Sequence, residues 1–191
     1  ELVRRAVAND KARVMFLVGG TQTNLTVIAA SLRPYQGVIS ADSGHINVHE
    51  TGAIEATGHK VLAVPSHDGK LTAEQIKRVY TEHWEDSTHE HMVQPGMVYV
   101  SNPTENGTMY TKAELQDLRA ACDECSIPLY LDGARLGYGL AAKGNDVALE
   151  DIARLCDVFY IGGTKVGALF GEAVVITNPA LKEDFRYLIK Q

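Results

Sequence analysis

Long apolar runs and clustered positive charge are both missing from this 191-residue chain. No apolar stretch approaches the roughly 20 residues needed to cross a bilayer, which excludes a membrane-spanning helix. The 18 lysines and arginines are scattered and are outnumbered by 24 acidic residues, so the net charge is −6. Because nucleic acids and acidic membranes are bound by concentrated basic surfaces, we expect neither as a partner.

Cysteine is also rare, and its three positions fit no metal site. Cys122 and Cys125 form a CxxC motif, but the second pair that would complete a zinc site is missing, and Cys156 stands alone. We therefore expect reduced cysteines that pack in the interior. The opening ELVRRAVAND lacks the apolar core of a signal peptide, and we expect a cytoplasmic protein.

A polar stretch at positions 82–95 contains three of the seven histidines. The spacing of His83, His89 and His91 is irregular, unlike that of metal ligands in known site patterns. We expect an exposed loop here and no bound metal.

Short apolar, β-branched runs alternate with segments of helical period, which predicts an α/β fold. Because the strands are apolar on both faces, the expected architecture is a three-layer αβα arrangement around a mostly parallel seven-stranded sheet. Thr72 and Thr111, with Gln75 and Glu114 three positions later, predict two capping boxes. The predicted strands are 14–18, 38–40, 61–64, 97–100, 129–131, 158–161 and 173–177. The predicted helices are 23–32, 47–56, 72–84, 111–125 and 149–155.

In open α/β sheets ligands bind beyond the carboxyl ends of the strands, and polar groups follow several predicted strands. The first is GGTQTN at positions 19–24, where two glycines and a helix N-terminus suit an anion. The pattern lacks the lysine of a P-loop, which disfavours a nucleoside triphosphate. A plain Gly-Gly turn with a threonine cap remains an equal alternative.

Three more polar residues occupy equivalent positions. Asp132 follows LYL and could meet a cationic ring nitrogen or a metal, or could merely cap a helix. Lys165 follows VFYIGGT, and partial desolvation there would make it a competent amine nucleophile. His45 could lie on a planar ligand, although such a histidine is more often a loop or core residue. Together these groups match the needs of pyridoxal phosphate: a lysine, a carboxylate, a phosphate cradle and a planar group.

The chain resembles the threonine aldolase and β-eliminating lyase family of fold-type-I pyridoxal-phosphate enzymes. The resemblance runs from about Val14 to the end through GGTQTN, ADSGHINVHETGAIEATGHKV, SNPTENGTMY, PLYLDGARL and GGTKVGALFGEAVV. It implies that Lys165 holds the cofactor, Asp132 pairs with its ring nitrogen and His45 stacks on the ring. The remaining cofactor residues that it implies are Gly20, Thr21, Gln22, Asn102, Arg135 and Thr164.

One departure concerns the substrate. Where the family usually has Thr-His-Asn, this chain has Thr104-Glu105-Asn106, so Glu105 could replace that histidine as an acid or base. Glu50, His45 and His49 are the other candidate bases, and for Glu50 and His49 an exposed helix face is the alternative. The resemblance implies cleavage of a threonine-like β-hydroxy amino acid to glycine and an aldehyde. β-Elimination, transamination or an inactive binding domain remain alternatives.

The resemblance also bears on domain organisation and assembly. Family members carry a preceding segment and a following small domain, and both ends of this chain read as interrupted helical patterns. We expect residues 1–191 to be an incomplete pyridoxal-phosphate-binding large domain with weak or no activity by itself. By the same resemblance we expect a homodimer or homotetramer.

Overall fold

A seven-stranded sheet forms the centre of the molecule in the computed structural model, which describes residues 1–191. The strand order is β1-β7-β6-β5-β4-β2-β3. Strand β7 runs antiparallel to β1 and β6, and all the other neighbouring pairs are parallel. The mostly parallel sheet predicted from the sequence is therefore confirmed. The strands are β1 Arg13–Leu17, β2 Gln36–Ala41, β3 Val61–Val64, β4 Gln94–Ser101, β5 Leu129–Asp132, β6 Val158–Gly162 and β7 Glu172–Ile176.

Helices cover both faces of the sheet, which makes the fold a three-layer αβα arrangement as expected. Short 3-10 turns at His89–His91 and Pro179–Leu181 complete the secondary structure. None of the helices is long and apolar enough to cross a membrane. The helices are α1 Leu2–Ala6, α2 Gly20–Ser31, α3 His45–Val48, α4 Ala53–Ala56, α5 Ala73–Glu85, α6 Lys112–Cys125, α7 Leu136–Ala141, α8 Leu149–Leu155 and α9 Phe185–Lys190.

Two hydrophobic cores lie on opposite faces of the sheet, because successive strand residues point to opposite sides. Val98 and Val100 of β4 join the core under α5, α6 and α8, whereas Met97 and Tyr99 join the core under α2. The three buried cysteines belong to the first core, and none forms a disulfide. Burial raises the pKa of the Cys122 thiol to about 12, so it remains a packing residue.

Both capping boxes predicted from the sequence are present. The Thr72 side chain accepts a hydrogen bond from the backbone N–H of Gln75, and the Gln75 side chain accepts one from the N–H of Thr72. Thr111 and Glu114 make the same reciprocal pair at the start of α6. These pairs satisfy N–H groups that a helix start leaves unpaired, and they place the two helices as the sequence predicts.

The predicted helix over 47–56 is wrong, because it is broken into the two short helices α3 and α4. Thr51 and Gly52 adopt left-handed backbone angles, with φ of 55° and 72°, and these end the helical course. The break turns Glu50 inward, and this residue is only 5% exposed. The alternative of an exposed helix face for Glu50 is therefore wrong.

The predicted exposed loop over 82–95 is corrected at its ends, whereas positions 86–88 and 90–92 are exposed as predicted. Helix α5 continues to Glu85, and His83 in its last turn is buried. Its ring packs edge-on against Trp84, with 5.0 Å between ring centroids, and lies 5.6 Å from the ring of His89. Aromatic packing of this histidine stabilises the helix end in a segment whose composition is polar.

Candidate active site

A cavity of about 170 Å³ lies at the carboxyl edge of the sheet, between the start of α2 and the ends of β5 and β6. This is the position that the strand order of a parallel sheet favours for a ligand. Most of the predicted site residues converge on it although they are far apart in sequence. Those that line the cavity are Gly20, Thr21, His45, Glu50, Glu105, Asp132, Arg135, Thr164 and Lys165.

Asp132 ends β5 and is held by four hydrogen-bond donors. Its Oδ1 accepts from the Tyr160 hydroxyl at 2.6 Å and the backbone N–H of Ala134 at 2.9 Å. Its Oδ2 accepts from the Tyr99 hydroxyl at 2.6 Å and from Asn24 Nδ2 at 3.0 Å. The carboxylate is 3% exposed, so its orientation toward the cavity is defined by these contacts.

The two tyrosines that hold Asp132 both donate to its carboxylate. Burial first, and the neighbouring Asp132 carboxylate second, raise the pKa of the Tyr99 hydroxyl well above its ordinary value. The same two causes raise the pKa of Tyr160. Both hydroxyls therefore keep the protons that they donate to Asp132 across the physiological range.

His45 and Glu50 form a second polar pair in the cavity. His45 Nδ1 lies 3.0 Å from Glu50 Oε1, and the same oxygen accepts from Asn24 Nδ2 at 2.6 Å. The Glu50 hydrogen bond is the main reason that the pKa of His45 is raised, and the Asp132 and Glu105 charges add to it while burial opposes it. Glu50 Oε2 is buried and has no partner, which leaves an acceptor at the cavity.

Glu50→Gln is expected to lower the pKa of His45, measured by NMR titration of the imidazole. The change removes the negative charge and keeps an acceptor in the same place. In the parent protein the raised pKa means that the pair stabilises the fold fully below about pH 6.5, the ordinary histidine value. That contribution is lost as the pH rises through the folded-state pKa of His45. An unchanged imidazole titration in Glu50→Gln would show that the contact does not control His45.

Lys165 lies on the turn that joins β6 to β7, and its side chain is exposed as well as lining the cavity. That this lysine is partly desolvated stays a prediction. Glu172, at the start of β7, holds the turn. Its Oε2 accepts from the backbone N–H of Gly163 at 2.9 Å, and its Oε1 accepts from the Thr164 hydroxyl at 2.7 Å. The lysine thus projects from a backbone that a buried carboxylate keeps in place.

The N-terminus of α2 also lines the cavity, through Gly20 and Thr21. Gly19 caps this helix without a side-chain hydrogen bond, so the first backbone N–H groups remain free for an anion. A Cβ on Gly20 would lie 3.1 Å from the Tyr160 hydroxyl, which explains a glycine here. Gln22 does not line the cavity, because its Oε1 accepts from the backbone N–H of Val18 at 2.9 Å.

Two more predicted residues lie outside the cavity. Asn102 is buried, and its Oδ1 accepts from the backbone N–H of Tyr110, so its side chain is already engaged elsewhere. His49 is exposed at the end of α3, with its ring 5.6 Å from that of His45, and does not line the cavity. Glu105 does line it: burial raises its pKa, and Ser101 donates to its Oε1 at 2.8 Å.

Sequence reasoning missed the residues that hold the site together, namely Asn24, Tyr99, Tyr130, Tyr160 and Glu172. A signal for the tyrosines exists, because a buried hydroxyl in an apolar strand requires a polar partner. Each tyrosine stands inside such a strand, in MVYV, LYL and VFYI. For Asn24 and Glu172 no local pattern distinguishes them from other helix and strand residues.

The fold and this site define an α/β protein of the aspartate-aminotransferase-like type. A Thermus thermophilus aspartate aminotransferase is similar in fold, with a TM-score of 0.70 over 93% of this chain and 44% of that one, at 18% identity. The family model for beta-eliminating lyases matches residues 3–190. The chain therefore belongs to the beta-eliminating lyase family, and the resemblance inferred from its motifs is confirmed.

One curated protein and one solved structure are similar to this chain over nearly its whole length. The chain is 33% identical to the low specificity L-threonine aldolase of Pseudomonas aeruginosa over 98% of its own length and 54% of that protein. The structure of a Leishmania major threonine aldolase is similar with a TM-score of 0.95 and 53% identity, over 100% of this chain and 54% of that one. The chain spans about half the length of the curated relatives it matches.

Proposed function

We propose that the protein is a pyridoxal-phosphate-dependent aldehyde-lyase that cleaves a threonine-like β-hydroxy amino acid to glycine and an aldehyde. The observation that carries the proposal is the convergence of Lys165, Asp132 and His45 on one cavity at the N-terminus of α2. Family membership supports it, and so do the names of the relatives, which are threonine aldolases from bacteria and Leishmania major.

The chemistry of the donor set fits pyridoxal phosphate. The uncapped start of α2 suits its phosphate, and the buried Asp132, supplied only with hydrogen-bond donors, suits a protonated ring nitrogen. Lys165 provides the amine that attaches the cofactor, and His45 the planar group that lies on its ring. When bound, the cofactor supplies an electron sink for the carbon whose bond is cleaved.

The residues of the chain then divide the remaining tasks. Arg135 lines the cavity and, as a planar fork of donors, suits a substrate carboxylate or the phenolic oxygen of the cofactor. Glu105 is our candidate for the group that accepts the β-hydroxyl proton, because its raised pKa makes it a stronger base near neutral pH. Glu50 shares one oxygen with His45 and Asn24, and we assign it to holding the imidazole.

Product analysis with the full-length protein tests the proposed reaction. Incubation with threonine or allo-threonine and the cofactor is expected to yield equimolar acetaldehyde and glycine. Ammonia with a keto acid would instead indicate β-elimination, and a keto acid formed only with an added amino acceptor would indicate transamination. Either result, or no product at saturating cofactor, would overturn the aldolase proposal.

Domain organisation, assembly and location are proposed on the same basis. Residues 1–191 are proposed to be the cofactor-binding large domain of a cytoplasmic homodimer or homotetramer that acts on a small amino acid. The support is the family resemblance and the half-length match to the relatives. Light scattering coupled to size-exclusion chromatography of the full-length protein measures the assembly directly, and a monomer would contradict it.

A further inference from the structure

Asn24 joins the two carboxylates of the cavity through a single side chain. It lies in the second turn of α2 and is fully buried. Its Nδ2 donates to Glu50 Oε1 at 2.6 Å and to Asp132 Oδ2 at 3.0 Å, so both amide hydrogens are used. These partners are 26 and 108 residues away in sequence.

Tyr130 holds the other side of the amide. The Tyr130 hydroxyl donates to Asn24 Oδ1 at 2.6 Å, and burial raises the pKa of this tyrosine well above its ordinary value. Ionised carboxylates only accept hydrogen bonds, so the amide nitrogen faces Glu50 and Asp132. The amide oxygen therefore faces Tyr130, whose protonated hydroxyl completes the hydrogen bonds of Asn24.

Two carboxylates that approach one nitrogen this closely repel each other when both are charged. In other proteins such a pair shares a proton, because a like charge disfavours ionisation of its neighbour. A donor shared between the two opposes that effect by binding the charged form of each. Glu50 also contacts His45, so the chain of contacts runs from the imidazole through Glu50 and Asn24 to Asp132.

We propose that Asn24 is a positioning residue that lets Glu50 and Asp132 stand side by side as hydrogen-bond acceptors. It thereby couples Glu50, the partner of His45, to Asp132, the carboxylate that is proposed to face the ring nitrogen of the cofactor. The identity of that cofactor rests on the proposed function, but the coupling between the carboxylates does not. A residue that merely packs α2 onto the sheet would leave the titration of His45, the partner of Glu50, unchanged.

The test uses the full-length protein without cofactor or substrate, so it is independent of the reaction. The imidazole of His45 is followed against pH by NMR, because His45 shares Glu50 Oε1 with Asn24. In Asn24→Leu, which keeps similar volume and removes the competing donor, the His45 midpoint is expected to rise by about 1 pH unit. Asn24→Asp adds a third carboxylate and is expected to give a larger rise.

Two further variants provide a negative control and a second variant with a smaller expected shift. Thr23→Val removes a buried hydroxyl from the same helix, but that hydroxyl bonds only the backbone carbonyl of Gly19, so no midpoint is expected to move. Tyr130→Phe keeps Asn24 and removes the hydroxyl that bonds its amide oxygen, and a smaller rise in the same direction is expected. This variant keeps the test available if Asn24→Leu does not fold.

A second readout is the visible band of the bound cofactor. Its pH dependence is expected to shift in Asn24→Leu and Tyr130→Phe and to match the parent protein in Thr23→Val. A His45 midpoint in the Asn24 and Tyr130 variants equal to that of Thr23→Val would overturn the coupling, whatever the activities are. A protein that shows the midpoint shifts but makes no aldehyde from threonine would contradict the proposed function and leave the coupling supported.

Discussion

Lys165→Ala is expected to reduce kcat for threonine cleavage by at least about 10³-fold, which is within the range for loss of a side chain that transfers protons. The variant is also expected to lose the permanent mass increase that borohydride produces when it fixes the cofactor to an amine. Both effects follow from the position of Lys165 at the cavity, on a turn that Glu172 holds in place. Mass spectrometry of the parent peptide locates the attachment.

Stability measurements separate the chemical role of Lys165 from a structural one. Because the side chain is exposed, the free energy of unfolding of Lys165→Ala is expected to stay within about 0.5 kcal/mol of the parent. Lys165→Arg is the matched control, since it keeps the positive charge but lacks an amine that attaches to the cofactor. If Lys165→Ala still acquires the borohydride-dependent mass, another lysine carries the cofactor and the assignment is wrong.

Asp132→Asn is expected to lower kcat by about 10² to 10³-fold, the usual cost of losing one preorganised electrostatic group. The substitution keeps the shape of the side chain and one acceptor oxygen, and removes the charge that faces the cavity. A shift in the visible band of the bound cofactor is expected with it, because the charge beside the ring nitrogen has changed. An unchanged band and unchanged kcat would show that Asp132 does not meet the ring.

Asp132→Ala is expected to add a loss of stability to the loss of activity. The hydroxyls of Tyr99 and Tyr160 and the amide of Asn24 would remain buried without their acceptor. Each buried donor that is left without an acceptor costs about 1 to 3 kcal/mol, and the loss is measured by denaturant unfolding. Asp132→Asn, which retains an acceptor, is expected to lose clearly less, and equal losses would argue against the network.

The secondary structure could be predicted because its signals are local. Apolar runs such as LYL and VFYI mark buried strands, and Thr72 and Thr111 satisfy helix starts within four residues. The helix predicted over 47–56 failed for a local reason of another kind. Thr51 adopts a left-handed conformation that its residue type does not suggest, and the resulting break buries Glu50.

The sequence by itself determined the layered fold, the edge of the sheet where the cavity lies, and most of the residues that line the cavity, including Lys165 and Asp132. Only the tertiary structure decided which side chains hold them. Asn24 meets Asp132 across 108 residues and Tyr130 across 106, and Gln22 and Asn102 turn to backbone partners instead of the cavity. The physical reason is that strand and helix periods are set by neighbours along the chain, whereas hydrogen-bond partners of buried polar groups are set by which strands the sheet brings together.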